Sequence, residues 1–489
     1  MAKNPSKEPI SKVDTAWLRM EQPTNLMMIN GVIMLEAPLD YVRLLETIEQ
    51  RFLTFRRFRQ KAVDRTSGAH WVLDEEFDIH DHVRRTALPG AADQAELESF
   101  VSHLASTPLN HSRPLWQFHV VENYVDGPVL IMRIHHCIAD GIALVQVFLS
   151  LTDPTPQSRP SARQPETWKK RRADESQVFQ RLIDPARDGL GFALHMGKRL
   201  LGEGGKMLQN PAIAGNYANE ASEIVRELAH SLTLADDPAT RLKGRLGVRK
   251  KVAWAEPIPL AEVKAVSKAF GCTVNDVLIA AVAGALRRYM IEAGDKPEDL
   301  KDIRATVPVN LRPLEHAQEL GNHFGLVFLS LPLSLDNPLD RLYTVHEEMN
   351  KLKSSKQAAV TLGFLGALGM GPSAIQKPVL DILSQKATAV LTNVPGPQQP
   401  LYLAGSRMKE MMFWVPQNGG IGLGISILSY DGKVFFGLIS DQRLVAEPAE
   451  IICRFRAEFE KLLYLGLMLP LDGRPSTQSA EDLLEHTLL

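Results

Sequence analysis

The sequence predicts a mixed α/β protein made of two α/β units joined by a helical linker. Three observations carry this prediction. Strand-like and helix-like segments interleave in both halves of the chain, a pattern that points to mixed layers rather than to a bundle or an all-β sandwich. A polar stretch rich in Pro, Ser, Arg and Lys starts at Asp153 and interrupts that alternation. The length, 489 residues, suits two large domains or about three of about 150 residues. The boundaries read as 1–152 for the first unit, 153–250 for a basic helical linker, 251–470 for the second unit and 471–489 for a tail.

In the first unit, Met28 to Met34 alternates like a strand, and Tyr41 to Phe52 and Ala95 to Ala105 carry apolar residues at helical spacing. Val129 to Ile134 reads as a buried strand leading into a histidine pair, followed by a helix through Ile142, Leu144, Val145, Val147 and Phe148. The linker reads as helical from Phe179, with Arg187, Lys198, Arg199 and Lys206 on a basic flank. That flank is either a solvated face or a surface for anionic lipid. In the second unit Leu260 to Phe270, Thr273 to Tyr289, Leu339 to Lys353 and Ala449 to Leu465 read as helices. Ile303 to Val309, Val327 to Leu333, Ala387 to Asn393, Gly424 to Leu428 and Val434 to Ile439 read as strands, so mixed sheets are expected.

Composition narrows the function. Hydrophobic residues make up 45% and charged residues 23%, which excludes a disordered or fibrous chain. Lys plus Arg (55) against Asp plus Glu (57) gives a formal charge of −2, so no global basic field calls for nucleic acid. Cys137, Cys272 and Cys453 lie far apart without zinc-like spacing, and a reducing, cytoplasmic setting is the expectation. The uncharged stretches Gln357 to Gln376 and Met411 to Tyr430 carry Gly, Pro and polar residues. A spanning helix would need a more continuous apolar run, so the expectation is a soluble chain able to touch a membrane without crossing it.

The segment His135-His136-Cys137-Ile138-Ala139-Asp140-Gly141 holds the chemistry. A histidine where a buried strand gives way to a helix suits a general base near neutral pH. A satisfied pair of core histidines is the rival reading. Adjacent strand residues point to opposite faces, which argues against a shared metal ion. Asp140 is suited to orient the turn through an Arg or a backbone N–H, and Gly141 to leave room for a ligand or to adopt a backbone angle other residues avoid. Asn275-Asp276 at a helix start reads as a cap or as a substrate contact. Asn393 sits in a turn-like Asn-Val-Pro-Gly-Pro run. Gly363, Gly366 and Gly369, three apart, suit close helix packing or an acyl groove.

These motifs together resemble the bacterial wax ester synthase/diacylglycerol acyltransferase family. His135-His136-x-x-x-Asp140-Gly141 is similar to the active-site motif of the CoA-dependent acyltransferase superfamily, which includes chloramphenicol acetyltransferase and peptide-synthetase condensation domains. The opening Asp14 to Glu21, Phe77 to Val83, Leu88-Pro89, Pro114-Leu115-Trp116, Asn275-Asp276, Val307 to Arg312, Gly321-Asn322, Thr392 to Pro397 and Tyr430-Asp431-Gly432 narrow the resemblance to the lipid family. Thr392 departs from it, since many members carry Glu there.

The resemblance implies two chloramphenicol-acetyltransferase-like domains with an active-site tunnel between them. It implies His136 as general base and Asp140 as its orienter, with His135 and Gly141 in support. It further implies transfer of a fatty acyl group from acyl-CoA to a long-chain alcohol or diacylglycerol, without metal or organic cofactor. Asn275, Asp276, Asn393, Gly363 and Gly366 become candidate substrate contacts, and flexible Met370, Met411 and Met412 would loosen the fit of an apolar channel if they line it. Peripheral attachment to the inner membrane or lipid droplets is expected. A lipid-binding or droplet-coating protein that keeps the fold without turnover is the alternative.

Overall fold

The computed structural model describes residues 7–65, 68–158, 234–310, 320–353, 355, 357–358, 361, 384–417 and 419–469. The linker segment from Phe179, Gly363, Gly366, Gly369, Met370 and the tail lie outside the described residues.

The first half runs β1 (Lys7–Pro9), α1 (Lys12–Met20), β2 (Met28–Leu35), α2 (Tyr41–Thr47), β3 (Gln60–Arg65), β4 (Gly68–Leu73), α3 (Ile79–His82), β5 (Val83–Thr86), α4 (Gln94–Ala105), β6 (Trp116–Val121), β7 (Val129–His135), α5 (Gly141–Leu151) and β8 (Thr152–Asp153). The second half adds β9 (Lys250–Trp254), β10 (Ile258–Pro259), α6 (Leu260–Ala269), α7 (Val274–Glu292), β11 (Ile303–Asn310), β12 (Phe324–Leu331) and α8 (Pro338–Lys353). It closes with β13 (Ala389–Pro395), β14 (Tyr402–Leu403), β15 (Ser406–Trp414), β16 (Leu423–Tyr430), β17 (Lys433–Asp441) and α9 (Ala449–Leu467).

Two seven-stranded mixed sheets form the frame, as expected for this class. One has the order β5-β6-β7-β2-β15-β14-β8, and the other β10-β17-β16-β13-β11-β12 with β9 on β17. Local sequence explains much of this. Every residue of β2 is buried, as is all of β7 but the partly buried Met132, so both lie inside the first sheet. They pair antiparallel from Met28 opposite His135 to Met34 opposite Val129. In α7, Thr273 accepts from the Asp276 N–H while the Asp276 carboxylate accepts from the Thr273 N–H, a capping box that starts the long buried helix.

The strand pairing crosses the division of the chain into halves. β15 lies antiparallel on β2, with Met411 opposite Ile33 and Met412 opposite Val32. Met411 and Met412 are therefore packed into the first hydrophobic core. Trp254, Phe324 and Trp414 join the same core, so the halves share one continuous apolar body there. The helices α6, α7 and α9 pack with the second sheet in a separate core. No single described helix is long and apolar enough to cross a membrane.

Candidate active site

The histidine turn is pinned by backbone before any side chain is considered. The His135 N–H donates to the Leu115 carbonyl (2.9 Å), the His136 N–H to the Met27 carbonyl (2.8 Å) and the Ile138 N–H to the His135 carbonyl (3.0 Å). α5 then begins with Asp140 as N-cap, its Oδ1 accepting from the Ala143 N–H at 2.8 Å. This satisfies one of the four N–H groups a helix start leaves open.

Asp140 also reaches the other half. Its Oδ2 accepts from the His323 N–H (3.0 Å), and its own N–H donates to the Gly321 carbonyl (3.2 Å). The Asp140 carboxylate thus accepts from two backbone N–H groups, one in each half. Gly321 has φ +115°, in the region that favours glycine. Gly141 does not have a positive φ, and a Cβ there would meet only Val415 Cγ1 at 3.9 Å. The backbone-angle reading of Gly141 is thereby corrected, and its lack of a side chain leaves open space.

The two histidines have different surroundings. The His136 ring stacks on Trp17 (centroids 4.3 Å apart, 22° between planes) and leans on Phe324 at 5.5 Å. Its Nδ1 is buried and makes no hydrogen bond. Burial, partly offset by the Asp140 charge, pulls its pKa from 6.5 to about 4, so the ring is neutral at physiological pH. His135 is fully buried, and its Nδ1 accepts from the Cys137 N–H (3.1 Å). That bond places its proton on Nε2, which faces Glu21 at 3.6 Å. Glu21 also meets His111 at 2.7 Å. Burial opposes the Glu21 charge, but the two imidazoles outweigh it and hold the carboxyl at about 2.

Three residues unassigned from sequence complete the site. The Asn322 Nδ2 donates to the His136 carbonyl and to Asp14 Oδ1, each at 2.8 Å. Trp17 sits one turn after Asp14 on α1. Their only sequence signal was membership of the matched blocks, Asp14 to Glu21 and Gly321-Asn322.

The remaining candidates form their own group. The Asn393 Nδ2 donates to Asn275 Oδ1 at 2.7 Å, and Asp276 Oδ2 pairs with His346 Nδ1 at 2.7 Å. Thr273, not Asn275-Asp276, is the N-cap of α7, with Asp276 as the returning carboxylate of the capping box. None of these bonds reaches the His136 network. Trp116, from the Pro-Leu-Trp motif, is a core aromatic whose indole N–H donates to the Phe58 carbonyl at 2.8 Å.

A small, partly open pocket lies beside the histidine turn. Met27, Met28 and Asn30 line it from the first half, and Lys250, Val415 and Gln417 from the second. Met27 is the residue whose carbonyl holds the His136 N–H.

Comparison with known proteins places the chain in a family. A family model described as the wax ester synthase/diacylglycerol acyltransferase catalytic domain matches residues 10–278, and its C-terminal companion matches 320–463. A Mycobacterium tuberculosis protein that carries the name diacylglycerol O-acyltransferase is 27% identical over 453 residues, covering 90% of this chain and 93% of the relative. A Mycobacterium bovis relative of similar name gives the same figures. Among solved structures, the wax ester synthase/diacylglycerol acyltransferase from Marinobacter aquaeolei VT8 has a TM-score of 0.66 at 23% identity, covering 94% of this chain and 100% of its own. The first condensation domain of the calcium-dependent antibiotic synthetase has a TM-score of 0.57 at 15% identity, covering 95% and 97%. At such identities these likenesses speak for the fold.

Proposed function

The chain belongs to the wax ester synthase/diacylglycerol acyltransferase family, and on that premise we propose that it moves a fatty acyl group from acyl-CoA to a long-chain alcohol or diacylglycerol, with His136 as general base. The observation that carries this reading is the neutral, buried His136 ring, stacked on Trp17 and fixed by its backbone at a turn that draws bonds from both halves. A neutral imidazole has the lone pair a base needs.

Nε2 of His136 takes the proton of the acceptor hydroxyl as the oxygen bonds to the thioester carbonyl carbon. The carbonyl π electrons move to oxygen, giving a tetrahedral oxyanion. When the carbonyl re-forms, the C–S bond breaks and the imidazolium protonates the departing CoA thiolate. The ester and free CoA leave, and His136 returns neutral. General-base help of this kind contributes about 10²–10⁴-fold. The cycle calls for no covalent enzyme intermediate, metal or organic cofactor. The acyl chain and acceptor meet in a tunnel between the halves, and the enzyme works attached peripherally to the membrane or to lipid droplets, where its substrates reside.

The test is CoA release from palmitoyl-CoA with hexadecanol and dioleoylglycerol present together, both esters being quantified. An apolar channel discriminates weakly, about 1–3 kcal/mol per methylene, so both products should form. A preference above about 10⁴-fold for one acceptor would require a site that hydrogen-bonds that acceptor. No CoA release with either acceptor would leave a lipid-binding protein as the better reading.

A further inference from the structure

Taking His136 as the base, we propose that Asn322 is its positioning residue and that Asp14 holds Asn322 in place. Both partners of the Asn322 amide nitrogen, the His136 carbonyl and the Asp14 carboxylate, are acceptors. The amide orientation is therefore determined: Nδ2 faces both, and each of its hydrogens is used. The Asn322 backbone N–H donates to the same Asp14 oxygen at 3.0 Å. Asn322 is 3% exposed and Asp14 2%, so water does not compete for these bonds.

The arrangement holds His136 at two places. Trp17 supports the ring, and three residues before it on α1 Asp14 supports the backbone through Asn322. Burial pushes the Asp14 carboxyl up, while bonds from Asn322 and Ser11 work against that, so carboxylate and amide depend on each other. Asn322 belongs to the second half, as do the Gly321 carbonyl and His323 N–H that grip Asp140. The second half thus sets the aim of a base carried by the first. Aim matters because a displacement of about 1 Å at a reacting group costs about 10²-fold in rate.

A role in positioning predicts loss of kcat with substrate binding spared, whereas simple adhesion between the halves predicts loss of stability alone. With palmitoyl-CoA and hexadecanol, Asn322→Ala should lower kcat by about 10–100-fold while KM for palmitoyl-CoA moves less than about threefold. Asp14→Ala should behave alike. Asp14→Asn, whose side-chain carbonyl still accepts from Asn322, should recover most of that loss. Melting temperatures are recorded for each variant. If Asn322→Ala does not fold, Asn322→Ser, able to donate one of the two bonds, reads the same split. A folded Asn322 variant with kcat within about twofold of wild type overturns the proposal, as does an Asp14→Asn enzyme no faster than Asp14→Ala. His136→Ala, run alongside, separates the two readings. If it keeps its rate, both fall; if it loses its rate beside an unimpaired Asn322→Ala, the positioning role alone falls.

Discussion

His136 and His135 show how one residue type takes two roles in adjacent positions. His135 spends Nδ1 on the Cys137 N–H and turns its other nitrogen toward Glu21, so it holds the turn. His136 has no such tie and sits against Trp17. Its ionisation has a predictable consequence. Because the folded pKa is about 4 against an ordinary 6.5, the free enzyme should keep its base neutral throughout the neutral range. A kcat/KM profile should lose activity only as pH falls toward 4, and an acid limb at or above 6.5 would contradict this. In that same window the unfolded chain binds more protons than the folded one, so this group makes stability rise with pH between about 4 and 6.5. The histidine pair was legible as a candidate in the sequence, from its residue type and its place between a strand and a helix. Asn322 and Trp17 were not legible as partners, because their contacts with His136 arise only when separate elements meet.

Among the elements, the start of α5 connects fold and chemistry. Asp140 accepts from Ala143 within its own helix and from His323 in the other half. Asp140→Asn can keep one of these bonds but must present an amide NH₂ to the other donor. Loss of a hydrogen bond to a charged group costs about 1.5–3 kcal/mol, so thermal unfolding should show a lower melting temperature together with a lower rate. An unchanged melting temperature with a new acid limb in the pH–rate profile would point instead to direct chemistry by Asp140. The helix starts show how local signals can mislead by a few residues. Asn275-Asp276 looked like the cap of α7, yet Thr273 caps it and Asp276 closes the box. The Met411 to Tyr430 stretch, noted from sequence for its lack of charge, contains the end of β15 and the whole of β16. Buried strands need no charge, and the burial of β16 accounts for the signal.

At the scale of the whole molecule, two mixed sheets were legible from alternating elements, but their junction was not. Nothing near Ser406–Trp414 announces a partner strand at Met28–Leu35, because pairing across so long a separation is decided by the assembled cores. This crossing joins the half that carries His136 to the half that carries Asn322. The proposed peripheral attachment is also a property of the whole chain, resting on the basic residues Arg187, Lys198, Arg199 and Lys206 of the sequence and on substrates that dissolve poorly in water. Flotation with vesicles containing phosphatidylglycerol should carry the protein upward at low salt and less so at high salt, since exposed charges are screened. Protein that stays at the bottom at every salt concentration would defeat the proposal.

Whether His136 is the base of an acyl-CoA-dependent transfer is decided by the rate of CoA release by His136→Ala with palmitoyl-CoA and hexadecanol. The expected result is a folded protein with an unchanged melting temperature and a rate lowered by about 10²-fold or more. A folded variant that kept more than about a tenth of the wild-type rate would contradict it.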